Sequence, residues 1–204
     1  MIHHYFHQYI PKSKEEDSKH ITLRHLAMFA DYVDSEHVFE NVEATPGFEM
    51  PTLAALQSDL SKYPDNDLIL YAHTKGISKE GNERIFGDAW RESMQDIMLR
   101  GLQAGINPST AWGGFLLEAN KWEHFPIFEK HDFLNGKLEK HDFFGGNFWL
   151  AKVGFLKTLP KVDLSKNRFF AERWIGLTRA KLESPNPNDW PSFAAFYRAT
   201  KIKI

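Results

Sequence analysis

The strongest constraint on the fold is a run of apolar residues at positions 68–72, LILYA, which lies between two polar segments. A short apolar run bounded by polar residues is typical of a strand that is buried on both faces. Such a strand needs a sheet with a layer of other elements packed on each side. We therefore expect residues 68–72 to form a central strand of an α/β domain.

Strand-like and helix-like patterns alternate around this run. Aromatic and β-branched segments predict further strands at 2–10, 37–42, 111–117 and 143–151. Apolar residues at helical spacing predict helices at 21–32, 51–63, 88–104 and 169–182. Alternation of this kind predicts a mainly parallel sheet with helices on both faces. A chain of 204 residues fits one such domain, so we expect a single unit over residues 1–204.

Composition and missing motifs exclude several classes of protein. Lys and Arg number 25 and Asp and Glu number 27, so the formal charge is −2 and we expect no nucleic-acid partner. Cysteine is absent, which removes disulfides, thiolate nucleophiles and cysteine-ligated metals. The sequence has no Walker loop, no GxGxxG after the first strand and no GxSxG elbow. P-loop, Rossmann and elbow-hydrolase sites are therefore disfavoured.

The sequence also indicates where the protein works. No window is apolar for long enough to cross a membrane, so we expect no integral membrane segment. The first residues lack the basic and apolar regions of a signal peptide. We therefore expect a cytoplasmic protein, and the sequence leaves its oligomeric state open.

Polar residues follow the predicted strands at the edge where open parallel sheets bind ligands. Six of them come at the ends of the first strand and of the apolar run: His7, Tyr9, His73, Thr74, Lys75 and Gly76. Lys75 could neutralise a phosphate that approaches the backbone at Gly76. The alternative is a glycine turn with a solvated lysine.

The segment FGGNFW at 144–149 combines glycines, an amide and aromatic rings. Glycine inside a strand marks a place where a ligand or another backbone approaches closely. Aromatic faces beside an amide suit a sugar ring, which has an apolar face and a hydroxylated rim. The alternative is an aromatic core strand with a bulge.

Glu172 lies between Arg168 and Arg173 in the segment RFFAERWIG. A carboxylate at the start of a helix in a cleft can act as a general base. A surface ion pair is the alternative, since this is the commoner state of such a residue.

Two groups of histidines raise the question of metal or phosphate chemistry, namely His3, His4 and His7 and the His-Asp pairs at 131–132 and 141–142. No HExxH or paired-carboxylate spacing accompanies the first group, and hydrogen-bonded strand histidines are the alternative. The His-Asp pairs are similar to those of phosphohydrolases, but they flank loops and an aromatic strand. No metal ligand is assigned from the sequence.

Taken in order, the motifs resemble those of one family. HTKG at 73–76, Trp90-Arg91, GGNFW at 145–149 and ExWIG at 172–176 follow one another as in small bacterial and viral glycosyltransferase-like proteins. The resemblance covers about residues 2–177 and rests on order and spacing more than on any one motif. It implies a GT-A-like fold with a nucleotide-sugar half at 1–110, an acceptor half at 111–183 and a tail at 184–204.

The resemblance also implies roles for particular residues. A nucleotide-sugar donor would contact His7, Tyr9, His73, Thr74, Lys75, Gly76 and Arg91. A glycan acceptor would contact Gly146, Asn147, Trp149, Arg168 and Trp174. Glu172 matches the region where inverting members carry the base that deprotonates the acceptor hydroxyl.

The chain departs from the family at the donor phosphates. GT-A-like proteins carry a DxD motif that holds a divalent metal, but residues 73–75 here are His-Thr-Lys. Either Lys75 and its neighbours supply the positive charge, or a metal is held otherwise, or donor binding is lost. We therefore expect glycosyl transfer, and the alternative is a carbohydrate- or nucleotide-binding protein that keeps the fold.

Overall fold

The computed structural model describes residues 1–42, 48–74, 76–118, 142–164, 168–178 and 180–185, but not the side chains of Leu117, Arg168 and Phe169. The strands are β1 Ile2–Ile10, β2 Ser35–Val42, β3 Leu68–His73, β4 Ala111–Gly113, β5 Leu116–Leu117, β6 Phe143–Phe144, β7 Trp149–Lys152 and β8 Leu182–Glu183. The helices are α1 Glu15–Phe29, α2 Met50–Asp59, α3 Gly81–Gln103, α4 Val153–Leu156 and α5 Arg168–Arg173. Short 3-10 turns extend α1, α2 and α5.

Six of these described strands form one mixed sheet in the order β2-β1-β3-β7-β4-β8. β7 runs antiparallel to both of its neighbours, whereas the other pairs are parallel. β3 lies inside the sheet between β1 and β7, and each of its residues is buried. The prediction of a central buried strand is therefore confirmed, and the α/β sheet has one reversed strand.

Helices cover both faces of the sheet. On one face, residues of α2 and α5 form an apolar cluster with odd-numbered strand residues, among them Tyr5 and Tyr71. On the other face, residues of α1 and α3 form a second cluster with even-numbered strand residues, among them Phe6 and Leu70. This division follows from the alternation of side chains along a strand. We call the two sides the α2 face and the α1 face.

α1 begins at Glu15 rather than at residue 21, where the first apolar residue of the pattern lies. Its first turn carries Glu15, Glu16 and Asp17, which interact favourably with the positive end of the helix dipole. Acidic residues give no apolar signal, so the hydrophobic pattern predicted the start of this helix too late.

α3 is the longest of the described helices, with 23 residues. Arg91, Met94, Gln95 and Met98 are buried at helical spacing, which makes α3 an amphipathic helix packed on the sheet. Among the helices of the described ranges, none is long and apolar enough to cross a membrane.

Two predicted strands are each divided in the structure. Residues 143–151 form β6 and β7 with a turn between them, and residues 111–117 form β4 and β5. Gly146, Asn147 and Phe115 have positive φ angles of 96°, 59° and 55°. Such left-handed residues do not fit a strand, because φ is negative throughout the β region. The prediction of two continuous strands is therefore wrong.

The predicted helix at 169–182 is shorter than expected. α5 ends at Arg173, a 3-10 turn ends at Gly176, and the chain then reaches β8. β8 pairs with β4, so Leu182, the last residue that the pattern assigned to the helix, lies in the sheet. The His-Asp pair at 131–132, His141 and the tail beyond 185 lie outside the described residues.

Candidate functional site

The carboxyl ends of β1 and β3 lie side by side. His7 pairs with His73 in the parallel register of the two strands. The backbone nitrogen of Thr74 donates to the carbonyl oxygen of His7 at 3.1 Å, and that of Tyr9 donates to Oγ1 of Thr74 at 2.8 Å. Four residues that the sequence analysis assigned to the donor are therefore neighbours at one edge of the sheet.

Glu49, which immediately precedes α2, joins this edge to the rest of the site. Its Oε1 lies 3.3 Å from Nδ1 of His73. Its Oε2 accepts hydrogen bonds from the hydroxyl of Tyr71 at 3.2 Å and from Nδ2 of Asn147 at 2.6 Å. The side chain is only 12% exposed, so these bonds form largely away from water, where they are stronger. Glu49 is not part of any motif recognised in the sequence.

His73 connects β3 to the FGGNFW segment. Its Nε2 lies 2.7 Å from the carbonyl oxygen of Gly146, which only accepts hydrogen bonds, so Nε2 carries a proton. The contact between Nδ1 and Glu49 then needs a second proton, which lies on the imidazole or on the carboxyl group. Both ring nitrogens of His73 are thus engaged, and this side chain holds the strand end in place.

His7 has a different environment from its neighbour His73. Its Nδ1 lies 2.8 Å from Oγ1 of Thr52, in the first turn of α2. Burial lowers the pKa of His7 to about 4; nearby Glu49 opposes this shift and His73 adds to it. At pH 7 His7 is therefore a neutral imidazole beside the Glu49–His73 pair.

The FGGNFW segment forms a second wall of the site. Asn147 is fully buried, and it connects Glu49 to Trp149, whose indole nitrogen donates to Oδ1 of Asn147 at 2.8 Å. The Trp149 ring stacks on Tyr71 with centroids 5.0 Å apart and has no exposed surface. Trp174 is equally buried. These two rings support the site from the core and present no exposed face to a sugar.

Close packing explains two glycines of the motifs. A Cβ on Gly76 would lie 2.7 Å from Cα of Gly87 in α3, and the φ angle of Gly76 is 83°. A Cβ on Gly146 would lie 2.5 Å from Sδ of Met94 in the same helix. Both positions require glycine so that their loops can approach α3. Lys75 precedes Gly76 in the chain but lies outside the described residues.

Glu172 lies on the α2 face, as does Glu49. It is a partly exposed residue of α5, which packs against α2. The next residue, Arg173, is buried, and burial lowers the pKa of its guanidinium. The side chain of Arg168 is outside the described part of the chain. The structure therefore places the predicted base on the same side of the sheet as the carboxylate that the sequence analysis missed.

Arg91 lies on the other side of the sheet. It is a buried residue of α3, and its Nη2 donates to Oδ1 of Asp88 at 2.8 Å. α3 covers the α1 face, whereas Thr52 and Glu49 lie at the start of α2. The residues predicted to bind the donor are therefore divided between the two faces.

The described residues do not provide a ligand set for the divalent metal that a DxD motif would hold. Within the described ranges, no group of three His, Asp or Glu side chains is arranged to hold an ion. His4 lies on the α1 face of β1, whereas His3 and His7 lie four residues apart on the α2 face, and the three have different hydrogen-bond partners.

Comparison with known proteins gives no assignment, since no family model, curated protein or solved structure matches the chain. The fold and the site define an α/β protein with a largely buried polar cluster at the carboxyl edge of its sheet. We call this group the edge cluster, and it consists of His7, Glu49, Thr52, His73 and Asn147.

Proposed function

We propose that this protein is a GT-A-like glycosyltransferase, which moves a sugar from a nucleotide-diphosphate donor to a glycan hydroxyl. The observation that supports this most is the edge cluster, which joins the ends of β1 and β3 to the FGGNFW turn. Open α/β sheets bind ligands at this edge. The order of the motifs, which resembles that of glycosyltransferase-like proteins, supplies the class of ligand.

The donor would lie over the ends of β1 and β3. His7, Tyr9 and Thr74 are neighbours there, and Lys75 follows Thr74 in the chain. A diphosphate carries negative charge, which the ammonium group of Lys75 would neutralise through charge-assisted hydrogen bonds. We assign His73 to positioning of the strand end, because both of its ring nitrogens are engaged.

The acceptor hydroxyl would lose its proton to Glu172. Its oxygen forms a bond to the anomeric carbon of the donor while the C–O bond to the diphosphate breaks, and the diphosphate leaves with the electron pair. The transition state has oxocarbenium character, so a cation such as Lys75 near the leaving diphosphate favours it. Gly146 and Asn147, which are buried, would support the acceptor wall from behind, and Arg168 stays a predicted acceptor contact.

A binding protein without transferase chemistry is the second candidate. The observation that favours it is that the described residues include no group of three His, Asp or Glu side chains that could hold a metal in place of DxD. Glu49 does not fill this gap, because Tyr71, His73 and Asn147 engage its carboxylate. Such a protein would bind nucleotide diphosphates or glycans at the same edge.

Two measurements separate the candidates. Calorimetric titration with uridine and guanosine diphosphates and their sugars, with and without Mn²⁺, reports donor binding. Transfer of labelled sugar to a panel of glycan acceptors reports turnover. Binding with turnover supports the transferase, and binding without turnover supports the second candidate. If neither nucleotides nor glycans bind, both are wrong.

Glu172→Gln tests the catalytic assignment, because it keeps the shape of the side chain and removes proton acceptance. Loss of a general base lowers turnover by about 10²–10⁴-fold, while donor affinity stays close to that of the wild type. Glu83→Gln, at an exposed position of α3, is the matched control. A Glu172→Gln protein with the melting temperature and turnover of the wild type would leave only the ion-pair alternative for Glu172.

A further inference from the structure

A pocket of about 190 Å³ lies between α1 and α3, on the face of the sheet opposite α2. It is lined by His20, Ile21, Arg24, Arg84, Asp88, Arg91, Glu92 and Gln95. A water molecule occupies about 30 Å³ in the liquid, so this volume admits a small ion together with a few waters.

The lining carries more positive than negative charge. The guanidinium groups of Arg24, Arg84 and Arg91 face the carboxylates of Asp88 and Glu92. Asp88 pairs with two of these arginines. Nε of Arg84 donates to both carboxylate oxygens of Asp88 at 2.9 Å, and Nη2 of Arg91 donates to Oδ1 of Asp88 at 2.8 Å. With His20 neutral, the described lining therefore has an excess of one positive charge.

The outer acidic partners are weakly held. Glu92 lies 3.4 Å from Arg24, and both side chains are more than half exposed. Asp17, which is outside the lining, lies 3.4 Å from Arg84 and is 58% exposed. Exposed ion pairs of this kind contribute little to stability. An incoming anion can therefore replace these contacts at small cost.

The base of the pocket is buried and fixed. Arg91 and Gln95 are 6% and 5% exposed. Nε2 of Gln95 lies 2.7 Å from Nδ1 of His25, which anchors the base to the interior of the α1 face. A guanidinium that is already held in place loses little freedom when it binds an anion. This preorganisation distinguishes the pocket from arginines that are scattered over a surface.

We propose that this pocket binds a phosphate group, which Arg24, Arg84 and Arg91 contact from different sides. The planar guanidinium matches the oxygens of a phosphate in pairs of parallel hydrogen bonds. The phosphate is either the free inorganic ion or that of a monoester. The pocket and the edge cluster lie on opposite faces, so this site does not depend on the proposed sugar transfer.

Titration in a phosphate-free buffer tests the proposal, with inorganic phosphate in one arm and phenyl phosphate in the other. Calorimetry and backbone amide NMR shifts of α1 and α3 should both show saturable binding. Arg24→Gln should weaken it about tenfold, because a charge-assisted hydrogen bond is lost. Glu92→Gln should strengthen it, because a competing carboxylate is removed. Arg100→Gln, which breaks an ion pair with Asp96 elsewhere on α3, should leave it unchanged.

The two arms also identify the source of the phosphate. Tighter binding of phenyl phosphate assigns the pocket to a monoester, and tighter binding of the inorganic ion assigns it to free phosphate. Absence of saturable binding in both arms overturns the proposal, as does an equal loss in Arg24→Gln and Arg100→Gln. Arg24 is exposed, so its replacement does not endanger the fold. A negative result here leaves the glycosyltransferase proposal untouched, because nucleotide-sugar binding is measured separately.

Discussion

His4 and His7 lie on the same strand but belong to different sites. His4 is on the α1 face, where its Nε2 lies 3.1 Å from Nε2 of His25. Its Nδ1 is buried and has no hydrogen-bond partner among the described residues. His7 is on the α2 face, beside the ion-pairing groups Glu49 and His73. β1 thus carries one structural histidine, His4, which contacts His25 of α1, and one candidate functional histidine, His7.

The histidines of the two faces differ in whether a carboxylate opposes the effect of burial on the pKa. Burial, with a smaller effect of His37, lowers the pKa of His4 to about 3. Burial also lowers the pKa of His25 well below its usual value, and His4, Arg91 and His73 add to that shift. At the edge cluster, Glu49 opposes the effect of burial on His7. The neighbouring carboxylate of Glu49 thus distinguishes His7 from the buried pair His4 and His25.

Acid should destabilise the protein, and this is the largest effect that we predict. His4, His7 and His25 are neutral when folded, with pKa values below their usual 6.5. Below pH 6.5 the unfolded chain binds more protons than the folded protein. The stabilisation that the neutral histidines provide is therefore fully present above that pH, and the free energy of unfolding falls as the pH drops below it. At pH 5 the three histidines together lower the free energy of unfolding by at most about 6 kcal/mol. Chemical denaturation between pH 5 and pH 8 measures this loss.

Two variants, one of a buried histidine and one of an exposed histidine, sharpen this test. His4→Leu removes one of the three buried imidazoles, so the loss of stability in acid should become smaller by up to about 1.4 kcal/mol per pH unit. His20→Gln, at an exposed position, should leave the pH profile unchanged. A wild-type protein that is equally stable at pH 5 and pH 8 would show that these histidines are not held neutral.

Trp149→Ala should reduce the free energy of unfolding by about 3–5 kcal/mol, the usual cost of removing a large buried side chain. The ring packs on Tyr71 and bonds to Asn147, so its loss also opens the wall of the edge cluster. Trp149→Phe keeps most of the packing and should cost about 1 kcal/mol for the lost hydrogen bond. Thermal and chemical denaturation measure both. An alanine variant that melts like the wild type and only raises the KM for acceptor would instead place the ring in the acceptor site.

Glu49→Gln should cost about 1–3 kcal/mol, because His73 loses its charged partner inside the protein. The Gln side chain can still accept a hydrogen bond from Tyr71, so the fold should persist. NMR of the His73 ring should show only one ring proton at neutral pH in the variant. Glu36→Gln, on the exposed side of β2, is the control. An unchanged His73 spectrum would place the second proton on the Glu49 carboxyl group rather than on the imidazole.

Lys75→Ala addresses the donor site directly. Loss of its charge should weaken nucleotide-diphosphate binding by more than tenfold, or about 1.4 kcal/mol. Calorimetry measures this against Lys79→Ala, an exposed lysine nearby that pairs with Glu83. Equal dissociation constants for Lys75→Ala and the wild type would identify Lys75 as a solvated turn residue.

Local sequence patterns predicted the central strand β3 but not Glu49, which contacts several residues of the site. β3 is apolar along almost its whole length, so its burial could be predicted without knowledge of the rest of the chain. The hydrogen-bond partners of Glu49 include Tyr71 and Asn147, which are 22 and 98 residues away in sequence. No local pattern records such contacts. The one available signal was the helix start at Pro51, since a helix that follows a parallel strand begins at the ligand-binding edge.

For the FGGNFW segment the sequence predicted a part of the site, but its local structure was predicted wrongly. Its aromatic residues indicated one continuous strand, but Asn147 adopts a left-handed conformation and turns the chain. Asn is one of the few residues other than glycine that tolerate this conformation. The composition of the segment did identify a wall of the site. It did not indicate that Trp149 is buried rather than exposed. Burial of that ring depends on Tyr71, which comes from another strand.

The enclosed Trp149 gives the protein an optical reporter of its own. Its indole nitrogen is bonded to Asn147, and its ring centroid lies 6.5 Å from that of Trp174. A ligand that moves the amide of Asn147 changes the polarity around one ring of this pair. Emission wavelength and near-ultraviolet circular dichroism would then follow occupation of the edge cluster without any attached label.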